Sequence, residues 1–177
     1  MIGGAKYAEI GGAVFDVLRS AAHTIGTLEV PDEIALVYTL SGCPLRCPGC
    51  HSEDLRNADR GRLLGVDILA EELARYRGLA TCVCFLGGEW RPDALISLLR
   101  EARRQGYATC LYTGRNAVED RIAVELDYVK LGPWVAARGG LDRPGTNQRF
   151  LDLRRGVDLT HRFQRTTAGF ASISQAA

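Results

Sequence analysis

The chain has 177 residues, with 22 Lys plus Arg against 21 Asp plus Glu and a formal net charge of +1. This length corresponds to a single domain and excludes a complete eight-fold β/α barrel, which needs ~250 residues. The balanced charge argues against a nucleic-acid or membrane-surface binder, and the uncharged runs are too short for a transmembrane helix. Because Asp16 and Arg19 interrupt the early apolar stretch, no signal peptide is evident, and we expect a cytoplasmic protein.

The first predicted strand follows an N-terminal extension. We assign no definite structure to residues 1–30, in which residues 11–22 carry a weak helical pattern interrupted by glycines. Residues 34–40 form an apolar, β-branched run that stops at Ser41 and Gly42. Such a run predicts a short strand that is buried on both faces.

The next stretch predicts a helix. Asp67 is expected to cap this helix and Gly78 to end it. Leu69, Leu73 and Tyr76 lie at positions i, i+4 and i+7, so they form one apolar face.

Two further strands flank a second helix. Residues 82–86 form an apolar run closed by two glycines, and residues 107–112 form another that ends at Thr113. Between these runs, Pro92 suits the first turn of a helix that we expect to run to about Gln105.

The last predicted elements are shorter. Asn116 and Glu119 form a capping-box pattern for a helix that runs through Glu125. Residues 126–131 predict a fourth strand, which is closed by glycine and proline. From Arg138 onward the chain is rich in arginine and is expected to be irregular.

This alternation of strands and helices predicts an α/β domain with parallel strands joined by crossovers. We expect a partial β/α barrel of about five or six parallel strands over residues 31–157 and a flexible tail over residues 158–177. In such sheets, functional residues lie at the carboxyl ends of the strands. The loops after the first three strands are therefore expected to meet at one rim.

Three of the six cysteines lie in one short loop after the first strand. Cys43, Cys47 and Cys50 have the spacing C-x3-C-x2-C, and the prolines and glycine between them bend the chain so that three sulfurs can face one centre. In a chain with no secretory signal, such thiols are expected to be reduced and to bind metal. Three thiolates suit a [4Fe–4S] cluster with one open iron, whereas structural zinc takes a fourth ligand, for which the adjacent His51 is poorly placed.

A resemblance to the radical S-adenosylmethionine superfamily rests on this loop and on Gly87-Gly88-Glu89 after the second strand. The loop reads Ser41-Gly-Cys-Pro-Leu-Arg-Cys-Pro-Gly-Cys-His51. With Gly145-Thr-Asn-Gln-Arg149 near the end, the chain is similar to the activating proteins of anaerobic ribonucleoside-triphosphate reductase, as a divergent branch of them.

The resemblance implies a partial barrel of the radical S-adenosylmethionine type, in which Cys43, Cys47 and Cys50 each bind one iron. The amine and carboxylate of S-adenosylmethionine would chelate the fourth iron. Its reductive cleavage would give a 5′-deoxyadenosyl radical, which takes a hydrogen atom from a glycine of the partner reductase. The implied electron donor is a flavodoxin- or ferredoxin-like protein, and no catalytic side chain beyond cluster and cofactor is implied.

The resemblance also implies contacts with the cofactor. The expected contact residues are Gly49, Cys50, His51, Gly87, Gly88, Glu89, Thr113 and Gly114. Glycines let the backbone approach a ligand closely, and the Glu89 carboxylate complements an ammonium group.

The other three cysteines have a structural interpretation, and Glu89 has two interpretations. Cys82, Cys84 and Cys110 are expected to be buried structural thiols rather than ligands of a second cluster. Glu89 either contacts the cofactor or caps the next helix.

The charged and aromatic residues farther along also keep two interpretations. Lys130 either faces solvent or reaches a carboxylate. Trp90 and Trp134 either edge the pocket or anchor their loops. The arginine-rich residues 138–165 form either a solvated face or a docking surface for an acidic patch on the reductase.

Three functions therefore stay open. The first is activation of an anaerobic ribonucleotide reductase, which a short chain favours because an incomplete barrel leaves an open side for a protein substrate. The second is a radical enzyme for a small, purine-like molecule. The third is a non-catalytic zinc module that uses Cys43, Cys47, Cys50 and His51.

Overall fold

The computed structural model describes residues 7–10 and 13–164. Its strands are β1 (Tyr7–Ile10), β2 (Ala13–Asp16), β3 (Leu18–Gly26), β4 (Ala35–Leu40), β5 (Arg62–Leu64), β6 (Cys82–Leu86), β7 (Ala108–Tyr112), β8 (Tyr128–Leu131), β9 (Arg149–Asp152) and β10 (Val157–Asp158). Its helices are α1 (Val66–Arg75), α2 (Pro92–Arg104) and α3 (Asp120–Ala123), with 3₁₀ turns at Glu53–Arg56 and Thr160–Phe163. No helix in these two ranges has the length and hydrophobicity that crossing a membrane requires.

Eight of the described strands form one mixed sheet in the order β10-β9-β8-β7-β6-β4-β3-β5. The central strands β4, β6, β7 and β8 are mutually parallel. On one side β3 and β5 continue the sheet antiparallel, and on the other side β9 and β10 do so. The α/β class and a parallel sheet centre are therefore confirmed.

The expected five or six parallel strands are wrong for the described residues, in which four strands are parallel. A parallel neighbour requires a crossover connection, usually a helix. Residues 27–34 join β3 to β4 without a helix, and residues 132–148 return from β8 to β9 without one. Both flanks of the sheet therefore run antiparallel, and the curvature of a partial barrel stays a prediction.

The four predicted strands and the two longer helices are confirmed, with ends that shift by at most two or three residues. α2 begins at Pro92, as expected, and runs to Arg104. Leu69 and Leu73 are buried on α1, as their spacing predicts. The N-cap of α1 is Gly65, however, and Asp67 lies in the first turn, so the expected cap is wrong.

Of the two weaker helix predictions, the one within residues 11–22 is wrong, and the one within residues 116–125 is confirmed only in part, since α3 is shorter than expected. Within residues 11–22, the described part forms β2 and the start of β3. At the start of β3, Leu18 and Ser20 are buried while Arg19 between them is partly exposed. This alternation has the period of a strand. The helix expected from Asn116 begins only at Asp120, and the Glu119 carboxylate pairs with Arg121 at 2.7 Å instead of closing a capping box.

The segment expected to be irregular contains two strands, β9 and β10. β9 pairs with β8, and its Phe150 and Asp152 are buried on the same side of the strand. Arg154 and Arg155 lie near the Asp152 carboxylate at 3.7 and 3.8 Å, so this buried charge has partners. The domain boundaries at residues 30 and 157 stay predictions, although β3 belongs to the main sheet. The last dozen residues lie outside the described part of the chain.

The sheet has an apolar cluster on each of its two faces. One cluster joins the sheet to α1 and α2 and includes Phe85 and Leu99. The other holds the three cysteines that lie outside residues 41–51, namely Cys82, Cys84 and Cys110, each 0% exposed. Their interpretation as buried structural thiols is confirmed.

These buried thiols predict how the stability depends on pH. Burial raises the pKa of Cys82 and of Cys110 above the ordinary value for a thiol. In the unfolded chain both thiols ionise near pH 8.5, whereas in the folded chain they keep their protons. The folded state then binds more protons, so the free energy of unfolding should fall by about 1.4 kcal/mol per thiol for each pH unit above about 8.5.

Because Lys130 titrates in the same range with the opposite effect on stability, the thiol contribution is measured as a difference in slope between the chain and a thiol-free variant, by urea denaturation of the reduced, iron-free protein between about pH 7.5 and 10. The double variant Cys82→Ala/Cys110→Ala should be less stable at pH 7.5 because of the cavities, but it should lose stability less steeply as the pH rises. An equal slope in the variant and the parent chain would contradict the prediction.

Candidate functional site

Four loops follow the carboxyl ends of the parallel strands. They comprise residues 41–61 after β4, 87–91 after β6, 113–119 after β7 and 132–148 after β8. Because parallel strands point the same way, these loops share one edge of the sheet. We call residues 41–51 the cysteine loop and residues 132–148 the return loop.

The turn at Glu53–Arg56 accepts hydrogen bonds from the start of the cysteine loop and fixes it in place. Leu55 in this turn accepts backbone hydrogen bonds from Gly42 at 2.7 Å and from Cys43 at 3.1 Å. The Ser41 hydroxyl donates to the carbonyl of Arg60 at 2.7 Å. Gly42 has a φ of +90°, which few other residues adopt, so the chain turns sharply as it leaves β4.

The three thiols of this loop are free and only partly buried. Burial raises the pKa of Cys43, and negative charge at Glu89, Cys47 and Cys50 acts in the same direction. Within the described residues, no three His, Cys, Asp or Glu side chains are gathered closely enough to hold a metal ion. The thiols would therefore have to turn toward a common centre to bind a cluster.

Close packing brings the neighbouring loops against the cysteine loop. A Cβ at Gly114 would lie 2.6 Å from the Leu45 side chain, and a Cβ at Gly49 would lie 3.9 Å from the indole nitrogen of Trp134. The loops after β4, β7 and β8 thus meet at one rim, as the parallel order predicts. The His51 ring packs edge-on against Trp134, with ring centroids 4.7 Å apart.

Gly87 and Gly88 form a tight turn after β6, with φ of +91° and +106°. Trp90 packs over Gly87, where a Cβ would approach its ring to 2.5 Å, and it also lies beside Gly42. Trp90 therefore anchors these two loops to each other, which supports the second of its two interpretations.

Gly88→Ala should lower the free energy of unfolding. The new Cβ would lie 2.7 Å from the Leu40 side chain at a positive φ, so strain and overlap should cost about 2–4 kcal/mol. Gly78→Ala is the matched control, because Gly78 also has a positive φ but no atom within 4 Å of its Cβ position. It should cost only about 1 kcal/mol. Equal losses in urea denaturation would refute the close packing around Gly88.

Glu89 is a buried carboxylate at the centre of the rim. Its side chain is 3% exposed, and its Oε1 atom accepts a hydrogen bond from the Thr113 hydroxyl at 2.8 Å. The Arg115 guanidinium lies 3.6 Å from the same oxygen. The other oxygen, Oε2, is buried without a partner among the described residues, so the carboxylate retains an acceptor for a ligand.

Lys130 lies at the end of β8 and is 9% exposed, so its interpretation as a solvent-facing lysine is wrong. Its ammonium group donates to the carbonyl of Gly132 at 2.8 Å. Burial lowers the pKa of Lys130 to about 8, and a negative charge at Cys47 opposes this shift. A buried ammonium therefore lies near the cysteine loop, where it complements negative charge.

Two buried polar atoms of the return loop also have no partner within the described residues, Trp134 Nε1 and Asn147 Oδ1. The Asn147 side-chain amide donates to the carbonyl of Pro133 at 2.9 Å, so this hydrogen bond joins the two ends of the return loop. Sequence reasoning assigned no site role to Asn147 or to Arg115. Their positions in the sequence could have indicated such a role, since Arg115 directly follows Gly114 and Asn147 lies in the motif that carries the resemblance.

The residues at this rim fit an iron–sulfur cluster and a zwitterionic ligand. Three thiols on one loop can ligate three irons and leave a fourth open. Glu89 Oε2 offers an acceptor, and Lys130 offers a buried cation. The unpartnered Trp134 N–H lies beside Gly49 and would be available as a hydrogen-bond donor to a bound cluster.

Comparison with protein-family models gives one match over this region. The model is described as a 4Fe-4S single cluster domain and matches residues 34–131. This range contains all three cysteines of the cysteine loop, together with Glu89, Thr113 and Lys130.

Two curated proteins are similar to parts of the chain. A pyruvate formate-lyase-activating enzyme of Clostridium pasteurianum is 32% identical over 99 residues, which cover 51% of this chain and 42% of that protein. A 7-carboxy-7-deazaguanine synthase of Hyperthermus butylicus is 44% identical over 50 residues, which cover 28% of this chain and 20% of that protein. The chain thus spans less than half the length of these relatives.

Proposed function

The chain belongs to the family of 4Fe-4S single cluster domains, and on that premise we propose that it is a radical S-adenosylmethionine activase. The family match and the two relatives support the radical S-adenosylmethionine superfamily. The proposed activity is formation of a glycyl radical on an anaerobic ribonucleoside-triphosphate reductase. A cytoplasmic location is part of the same proposal.

One observation carries the proposal. The buried Glu89 carboxylate, with one free oxygen, lies at the same rim as the three thiols of the cysteine loop. A carboxylate that is buried without a second partner is costly unless a ligand supplies a donor. An ammonium group beside a metal centre meets this requirement.

In this proposal Cys43, Cys47 and Cys50 hold three irons of a [4Fe–4S] cluster. When bound and reduced, this group supplies the electron that cleaves the sulfonium of S-adenosylmethionine. The residues of the chain hold the cofactor and exclude water from it. No catalytic side chain is needed beyond these groups.

The contacts that the chain offers to the cofactor differ in chemistry. Glu89 accepts hydrogen bonds from the ammonium of the methionine moiety, and Thr113 keeps the carboxylate in place. Gly87 and Gly88 let the ligand approach the backbone closely. Lys130 provides a cation for the cofactor carboxylate, which removes the cost of its own burial.

The remaining predicted contacts lie around the same loops. Gly49, Cys50 and His51 end the cysteine loop, and Gly114 packs against Leu45 within it. A flavodoxin- or ferredoxin-like protein is the proposed electron donor.

The relatives favour two kinds of substrate. The printed name of the Clostridium pasteurianum enzyme states that it activates another enzyme, which supports a protein substrate for this chain. The Hyperthermus butylicus protein is named as a synthase of a deazaguanine compound, so a small purine-like substrate is the second candidate. The zinc module has less support, because the matching family binds a 4Fe-4S cluster.

Anaerobic reconstitution with iron, sulfide, S-adenosylmethionine and a reductant tests the proposal. About four irons per chain and formation of 5′-deoxyadenosine are expected. Stoichiometric zinc without charge-transfer absorbance would overturn the cluster. A glycine-centred radical in the electron paramagnetic resonance spectrum of the added reductase is expected, and its absence with cofactor cleavage intact would favour the small-molecule substrate.

A further inference from the structure

The outer side of β3 has no neighbouring strand along residues 22–26 within the described part of the chain. On its inner side β3 pairs with β4 from Ser20 to Gly26, but β5 covers the outer side only from Leu18 to Ser20. Residues 22–26 therefore present a row of backbone N–H and C=O groups that no strand of this sheet satisfies. Residues 22–25 are also exposed. We call residues 22–26 the open edge.

The open edge lacks the features by which proteins protect an unpaired strand. Natural edge strands are kept very short or carry charged residues or proline. The opposite edge strand of this sheet, β10, has 2 residues, and Asp158 is one of them. Residues 20–28, in contrast, contain no proline and no Asp, Glu, Lys or Arg. Ile25 is 51% exposed and Leu28 is 82% exposed, so the open edge favours pairing with another strand.

Two charges of opposite sign flank the open edge. Arg19 precedes it, and the guanidinium donates to the carbonyl of Gly61 at 3.0 Å. Glu29 follows it, and its carboxylate packs against Gly26 and accepts the backbone N–H of Leu28 at 3.2 Å. Within residues 7–10 and 13–164, neither Arg19 nor Glu29 has an ion pair. Both charges are therefore available to a partner.

The open edge is complementary to a second copy of itself. In an antiparallel pair centred on Thr24, His23 lies opposite Ile25, and both ends of the open edge are matched in length. Arg19 and Glu29 each lie 5 residues from Thr24, so this register brings each of them toward its opposite charge in the other copy. β5 occupies the edge beside Arg19, so the backbone pairing ends before it and the long side chains span the remaining distance. A two-fold axis at Thr24 forms both ion pairs at once.

We propose that the open edge of β3 pairs antiparallel with the open edge of a second copy of this chain, with Arg19 of each copy paired to Glu29 of the other. The two sheets then form one continuous sheet, in which backbone hydrogen bonds provide most of the affinity. Five residues on each side bury little surface, so the dimer should be weak and reversible. No residue of the open edge belongs to the candidate site, and the inference is therefore independent of the proposed function.

Sedimentation-velocity ultracentrifugation of the full chain tests the inference, before and after reconstitution with iron and sulfide. The sedimentation coefficient should rise from the monomer value toward the dimer value between about 1 and 200 μM. Thr24→Lys should weaken the dimer at least about tenfold, because two like charges then face each other across the two-fold axis. Val157→Lys is the matched control, since Val157 is also exposed, at 43%, but lies on the opposite edge strand. It should change the dimer affinity by less than about twofold.

Charge reversal tests the register. Arg19→Glu and Glu29→Arg should each weaken the dimer by about 3- to 30-fold, because two like-charged contacts replace two exposed ion pairs. The double variant Arg19→Glu/Glu29→Arg restores opposite charges at both contacts, so its affinity should return to within about threefold of the parent value. Thermal melting by circular dichroism shows that each variant is folded.

The outcomes separate this dimer from other associations. A chain that stays monomeric over the whole concentration range would overturn the inference, as would equal losses in Thr24→Lys and Val157→Lys. Single charge reversals that weaken the dimer without recovery in the double variant would exclude the register centred on Thr24. Selective loss in Thr24→Lys together with recovery in the double reversal would support the paired open edges.

Discussion

Cys47→Ala should abolish iron retention and cleavage of S-adenosylmethionine together. Cys47 is one of three thiols on the cysteine loop, and two thiolates on this loop leave a second iron without a protein ligand. Iron content after anaerobic reconstitution and the yield of 5′-deoxyadenosine measure the two effects. The fold should persist, because Cys47 is only partly buried and belongs to no apolar cluster of the sheet.

Cys110→Ala is the matched control for this variant. Cys110 is 0% exposed on β7, where it lies opposite Cys84 in the parallel register. Its loss should reduce stability through a small cavity but leave the iron content unchanged. Full iron retention by Cys47→Ala, or loss of iron in Cys110→Ala alone, would refute the assignment of ligands.

Glu89→Gln should lower the affinity for S-adenosylmethionine by about 10- to 100-fold, while iron content stays at the parent level. The change keeps the shape of the side chain but replaces a charged acceptor by a neutral amide. Its Nε2 group can also point at the ligand and repel an ammonium. Calorimetric titration of the reconstituted chain with the cofactor measures this effect.

Glu101→Gln provides the control for Glu89. Glu101 is also a buried carboxylate, at 7% exposed, but it lies on α2 and pairs with Arg104 at 2.7 Å. The neighbouring arginine is the main reason that the pKa of Glu101 is lowered. Its replacement should affect stability and not cofactor affinity. A cofactor affinity that is unchanged in Glu89→Gln would exclude Glu89 as the ammonium ligand.

The centre of the fold can be predicted from the sequence because its signals are local. Strands buried on both faces appear as short apolar runs, and β4, β6, β7 and β8 each have one that a glycine or a Thr-Gly step closes. The apolar spacing of α1 and the proline that begins α2 are equally local. The residues that begin and end such elements lie within or next to them in the sequence, which explains why the predicted and observed ends agree closely.

The flanks of the sheet depend on contacts between distant segments. The sequence at the start of β3 predicts a weak helix, because residues 11–22 contain small residues and no strong alternation of apolar and polar side chains. It becomes a strand because it pairs with β4 on one side and with β5 on the other. β9 likewise depends on its pairing with β8, which local sequence does not reveal.

The sequence alone determined which residues we propose as cluster ligands, because Cys43, Cys47 and Cys50 lie within eight residues and their spacing is a local property. Only the tertiary structure decided the surroundings of that set. It placed Glu89 against Thr113 and buried Lys130. These features depend on which strand ends and loops become neighbours, and contacts between loops that lie 24 to 85 residues apart leave no pattern in any one of them.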